Sequence, residues 1–85
     1  MYYVLTVEIR ETLGDLDVLV DIVAEYAYAT EEGAMDEASS VLREARVIHA
    51  DKLQGDQYIS LALMTYDEYD NIQWVDELEE INEED

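Results

Sequence analysis

Two runs of alternating apolar and polar residues, joined by a short turn, constrain this chain more than any other feature. In residues 2–10, Tyr3, Leu5, Val7 and Ile9 fall on one face, and Val4, Thr6, Glu8 and Arg10 on the other. Successive side chains of a strand point to opposite faces, so a period of two reads as a half-buried β-strand. Residues 16–28 alternate again, with Leu16, Val18, Val20, Ile22, Ala24, Tyr26 and Tyr28 in phase. Asp17, Asp21 and Glu25 share the opposite phase with Leu19 and Val23. Gly14-Asp15 between the runs is a turn signal, so the pair reads as an antiparallel hairpin.

A change of period follows. Thr30 stands where a helix N-cap would, with Glu31 and Glu32 in the first turn, where the helix dipole favours anions. Ala34, Met35, Ala38, Val41, Leu42 and Ala45 then recur at helical spacing, which predicts an amphipathic helix ending near residues 46–50. Gln54-Gly55-Asp56 is a turn, and residues 57–66 form a third strand apolar on both faces, as a central strand would be. After a polar loop at Asp67–Asn71, Ile72-Gln73-Trp74-Val75 suits a fourth strand, although Trp74, Leu78 and Ile81 are also spaced for a helical turn. The expected fold is α+β: a small antiparallel sheet of three to four strands in ββαβ order, with one amphipathic helix packed on one face. It is expected as a single acidic domain over residues 1–81, with a frayed end at 82–85.

Composition narrows the function. The chain carries 23 Asp and Glu against 4 Lys and Arg, a formal net charge of −19 on 85 residues. Solubility of a small domain needs only about 2–8 net charges, and self-repulsion at this level costs stability. Something beyond solubility favours the acidity: a partner with a basic surface, or a very salty solvent. Phosphate backbones and anionic membranes would be repelled, so direct nucleic-acid binding and membrane association are not expected. Arg10, Arg43, Arg46 and Lys52 are too scattered to form a basic patch. There is no cysteine, hence no disulfide and no thiolate metal site, which suits a reducing cytoplasm. The N-terminus lacks the pattern of a signal peptide, and no apolar run approaches the roughly 18–20 residues of a membrane span.

Two acidic groups stand out as candidate partner-binding surfaces. Asp17, Asp21 and Glu25 repeat every fourth residue of a strand, about 13 Å apart, near twice the roughly 6–7 Å between successive phosphates of a nucleic-acid strand. From Asp67 to Asp85 there are ten acids and no base; Asp67, Glu68, Tyr69, Asp70, Asp76, Glu77, Glu79 and Glu80 form the second surface. Rings among carboxylates suit an interface with arginine, which stacks on aromatics and pairs with carboxylates bidentately. Each acid also has a plainer reading, as part of a solvated face or an acidic tail.

Catalysis and cofactors have no footing here. With this many carboxylates, some pair is always close, so proximity says little about acid–base chemistry. His49 is the lone histidine, no nucleophile–histidine constellation is visible, and Gly14, Gly33 and Gly55 are isolated. Asp67-Glu68-Tyr69-Asp70-Asn71 lacks the spacing of an EF-hand loop, with Tyr69 and Ile72 at ligand and glycine positions. No catalytic residue, cofactor or dedicated metal site is expected. In size and acidity the chain resembles phage-encoded anti-restriction and anti-CRISPR inhibitors as a class. That resemblance, carried by composition alone, implies a nucleic-acid mimic acting in a host cytoplasm on a basic nuclease, CRISPR effector or repair enzyme. A halophilic binding domain and an acidic adaptor subunit, possible homodimer included, are the competing readings.

Overall fold

The computed structural model describes residues 1–78. In chain order it has β1 (Tyr2–Leu13), β2 (Leu16–Tyr28), α1 (Glu31–Ile48), a single 3-10 turn (Ala50–Lys52), β3 (Gln57–Tyr66) and β4 (Ile72–Glu77). The four strands form one antiparallel sheet in the spatial order β2-β1-β3-β4. The fold class is therefore α+β, as the alternation predicts, but the order along the chain is ββαββ rather than ββαβ. Residues 72–77 settle as a strand: Met64 faces Val75 and Thr65 faces Trp74 in the ladder with β3. The expected frayed end, residues 82–85, lies outside the described residues, as do Glu79, Glu80 and Ile81.

The hairpin closes at Leu13↔Leu16, leaving Gly14 and Asp15 as the two-residue loop. Gly14 adopts φ +63°, the left-handed conformation that a type II′ turn requires at its first central position. The helix starts as its sequence dictates. The Thr30 side chain accepts a hydrogen bond from the Gly33 N–H at 3.0 Å, satisfying one of the donors a helix leaves unpaired at its start. Thr30→Ala should therefore cost about 1 kcal/mol in urea unfolding, while Thr30→Ser should restore most of it.

Helix α1 lies across one face of the sheet. Its buried residues are Ala34, Ala38, Leu42 and Ala45, a stripe mostly of alanine that lets the helix backbone come close to the strands. Beneath it sit Leu5, Val7 and Ile9 of β1 and Ile59, Leu61 and Leu63 of β3, all buried. These six alternate strand positions of the two inner strands are the core.

One expectation from the alternation is corrected. The ladder between β1 and β2 shifts twice, between Val7 and Glu8 and between Ile9 and Arg10. Ala24 pairs with Val7 but Ile22 with Glu8, and Asp21 pairs with Ile9 but Leu19 with Arg10. Val23 and Val20 are the extra residues of two β-bulges, and each bulge reverses the phase of the alternation. Residues directly opposite in a ladder share a face. Asp17 (opposite Thr12) and Glu25 (opposite Thr6) therefore lie on the open face, away from α1, and Asp21 (opposite Ile9) lies on the helix side. The continuous row of Asp17, Asp21 and Glu25 does not form.

Candidate functional site

The open face is organised around Arg10. Alternation on β1 places Glu8 and Arg10 on this face, two residues apart. From there the Arg10 guanidinium reaches β2 on one side and, over β3, the end of β4 on the other. Its Nη1 donates to Glu8 Oε1 at 3.2 Å and to Glu77 Oε1 at 3.5 Å, while its Nε lies 3.5 Å from Asp17 Oδ2. Nη2 also donates to the Asp17 carbonyl at 3.2 Å. Glu8 is 3% exposed and Arg10 18%, so this is a largely buried ion pair extended by two more exposed carboxylates. Burial alone would push the Arg10 guanidinium down. Its hydrogen bond to Glu8 and the charges of Glu77, Asp17 and Glu8 reverse that and hold it above its ordinary value. Tyr58, opposite Arg10 on β3, hydrogen-bonds Asp17, and this bond with partial burial raises its phenol above the usual value. Three carboxylates thus share the Arg10 guanidinium.

A cleft of about 320 Å³ opens beside it, where β3 runs on past the end of β4. Arg10, Arg46, Tyr58, Ser60, Glu77 and Leu78 are among its walls.

The second acidic group is mostly a turn. Asp67 accepts hydrogen bonds from the backbone N–H groups of Tyr69 (2.8 Å) and Asn71 (2.9 Å) and from the Gln73 amide (3.0 Å). These donors stabilise the carboxylate, Asn71 foremost, and hold Asp67 below the usual aspartate range. Asp70 takes a left-handed φ of 66° and accepts from the Tyr2 hydroxyl at 2.8 Å, raising that phenol; Tyr2 in turn stacks on Tyr66 at 5.0 Å. Asp67 thus builds the β3–β4 connection, while Glu68, Tyr69 and Asp70 project from it, exposed. A lowered folded-state value means that Asp67 contributes stability above the unfolded value near 3.8, and that this contribution is lost as pH falls through the lower folded value. Asp67→Asn should flatten the acid side of the stability–pH curve between those two values, read by urea unfolding at a series of pH values.

The sites expected from sequence are therefore dispersed. Asp17 and Glu77 meet at Arg10. Asp67, Glu68, Tyr69 and Asp70 gather at the far end of the sheet, about 26 Å from Arg10 by the strand rise from Tyr2 to Arg10. Asp21 is turned to the other side, where its carboxylate accepts from the Ile22 N–H at 2.9 Å. Glu25 and Asp76 are exposed and separate, and Glu79 and Glu80 fall outside the described residues. Sequence reasoning missed Glu8 and Arg10 as the hub. Their alternation with Val4 and Thr6 placed them on one face, and the signal was an arginine two residues from a glutamate on a half-buried strand.

Among the described residues, no group of three or more histidines, aspartates or glutamates is placed to hold a metal ion, and no helix is long and apolar enough to cross a membrane. Comparison with protein-family models, curated proteins and solved structures finds no match to this chain.

Proposed function

We propose that the protein is an acidic nucleic-acid mimic, of the kind made by phages and other mobile elements. In a host cytoplasm it would occupy the basic groove of a nuclease, CRISPR effector or repair enzyme. One observation carries the reading: among the described residues the exposed charge is mostly anionic, with Arg43, Arg46 and Lys52 the exposed cations. Of the 18 aspartates and glutamates among the described residues, 14 are exposed, spread over β2, α1, β4 and the connections between elements. Arg10, which would offset them, is drawn inward by Glu8, Asp17 and Glu77. A groove built to bind phosphates meets here a rigid array of carboxylates, each able to accept a charge-assisted hydrogen bond from Lys or Arg. Binding would be steered from a distance and would weaken steeply with salt, as phosphate contacts do.

The mimic is tested by capture and competition. Tagged protein is incubated with a bacterial lysate at about 0.15 M salt, and captured proteins are eluted with duplex DNA, with RNA, or with about 1 M salt. The expected partner binds nucleic acid by itself, and is released by nucleic acid and by salt. Joint amide substitution of Asp17 and Glu25 on β2 and Asp76 on β4, three exposed carboxylates, should reduce capture at least tenfold without altering the circular dichroism. Capture that nucleic acid cannot compete away would end the mimic reading. Circular dichroism at both salts also addresses a halophilic domain, which the same exposed acidity favours. That reading requires the chain to be unfolded at the lower salt and folded at the higher.

A further inference from the structure

The helix covers one side of the sheet; among the described residues no element covers the other. This open face carries a diagonal apolar stripe. In register with β1, Leu19 sits level with Arg10 and Ile22 with Glu8; Met64 and Val75 sit level with Val4, and Tyr66 and Ile72 with Tyr2. The stripe therefore begins on β2 at one end, crosses the buried Val4, Thr6 and Ala62, and finishes on β4 at the other end. Leu19, Ile22, Ile72 and Val75 are each 43–53% exposed. With about 3.3 Å per residue along the strands and about 4.8 Å between them, the stripe is about 30 Å long, the length of an α-helix of about 20 residues. Large apolar side chains aligned on an exposed surface mark an interaction site rather than chance exposure.

Charge selects the occupant. At the level of Thr6, midway along the stripe, Glu25 flanks it on β2 and Glu77 on β4. A second copy laid on this face would bring those acids, and a net charge of −19, against their equals. The edge of β2 is a poorer alternative for a partner, since its two bulges break the regular row of backbone groups that an added strand needs. An amphipathic helix with an apolar seam and Lys or Arg on both flanks matches stripe and flanks together.

We infer that the open face docks a cationic amphipathic helix of a partner protein, across the sheet from α1 and along the line from Leu19 to Ile72. This goes beyond mimicry, since it does not require the partner to bind nucleic acid, and the contact is made by apolar side chains at the two ends of the line, Leu19 and Ile22 on β2 and Ile72 and Val75 on β4.

The probe is a synthetic peptide of about 20 residues, lysine and leucine only, with leucines spaced to form one helical face. Its control is a scrambled isomer of the same composition and charge. Binding is measured by fluorescence anisotropy of the labelled peptide at about 0.5 M salt, where attraction by net charge is largely screened. The amphipathic isomer is expected to bind at least about tenfold more tightly, with backbone amide shifts clustered at Leu19, Ile22, Met64 and Val75. Ile22→Ser with Val75→Ser should remove that preference, while Val47→Ser, on an exposed part of α1, should not. Equal binding of the two isomers, or shifts centred on α1, would overturn the proposal. So would a dimer in sedimentation that the Ile22→Ser and Val75→Ser pair dissolves, because a second copy would then be the occupant. Should the double variant fail to fold, the amide shift map of the unaltered protein decides alone.

Discussion

Arg10→Ala is expected to destabilise the protein by about 3–5 kcal/mol, the usual cost of leaving one partner of a buried ion pair alone. The cause is Glu8. Its side chain is 3% exposed, and its ion pair is with Arg10. Without that guanidinium, Glu8 stays under the flanking side chains of the open face, short of both water and counter-charge, beside Asp17 and Glu77 that the same arginine held. The lower half of the range is favoured, because Arg10 keeps 18% of its surface in solvent and water can enter the space it leaves. A domain of this size has a total stability of about 4–13 kcal/mol, so even that loss removes a large share of it. Two further variants isolate the mechanism in urea unfolding. Arg10→Ala with Glu8→Gln should recover much of the loss, since a buried amide costs less than a buried charge. Arg10→Met with Glu8→Leu should come near the unaltered protein, since apolar packing can replace a buried pair. If Arg10→Ala alone cost less than about 1 kcal/mol, the cluster would be an ordinary surface ion pair.

This cluster also shows what could be read in the sequence. The alternation of Tyr3, Leu5, Val7 and Ile9 gave β1 and its buried face, and Thr30 with the alanines of residues 34–45 gave the helix and its start. Both signals are local, because each periodicity is imposed by the backbone of a single element. The two bulges of β2 were not legible. A bulge exists only as a mismatch between two strands, and Val20 and Val23 look like ordinary alternating residues until β1 is laid beside them. For that reason Asp17, Asp21 and Glu25 read as one row although they are not one. Trp74 posed the same difficulty in miniature. Six residues fit either period, and the pairing of Val75 with Met64 decided for a strand. Total charge was plain from composition, but the question of which carboxylates share a site depends on long-range pairing. Glu77 meets Arg10 across 67 positions, and nothing in the local pattern of either residue announces it.

The two faces of the sheet should respond very differently to truncation. Leu61→Ala is expected to cost about 3–4 kcal/mol. Leu61 is fully buried on β3 opposite Val7, in the layer beneath Ala34, Ala38 and Leu42, and a helix resting on alanines has little side chain to move into the space. Ile22→Ala removes the same three carbons, yet should cost under about 1 kcal/mol. Ile22 is 43% exposed on the open face, so less apolar area leaves water when the chain folds and no enclosed cavity follows its loss. Chemical unfolding of the two variants measures the contrast. Equal losses would mean that something already covers the open face in the free protein, and that face would then not be available to a partner. A large loss at Leu61 with a small one at Ile22 would mean that folding does not require the apolar residues of the stripe. Carrying exposed isoleucine, leucine and valine on a single face brings a standing risk of association, and a docked cationic helix gives those residues a use that folding does not.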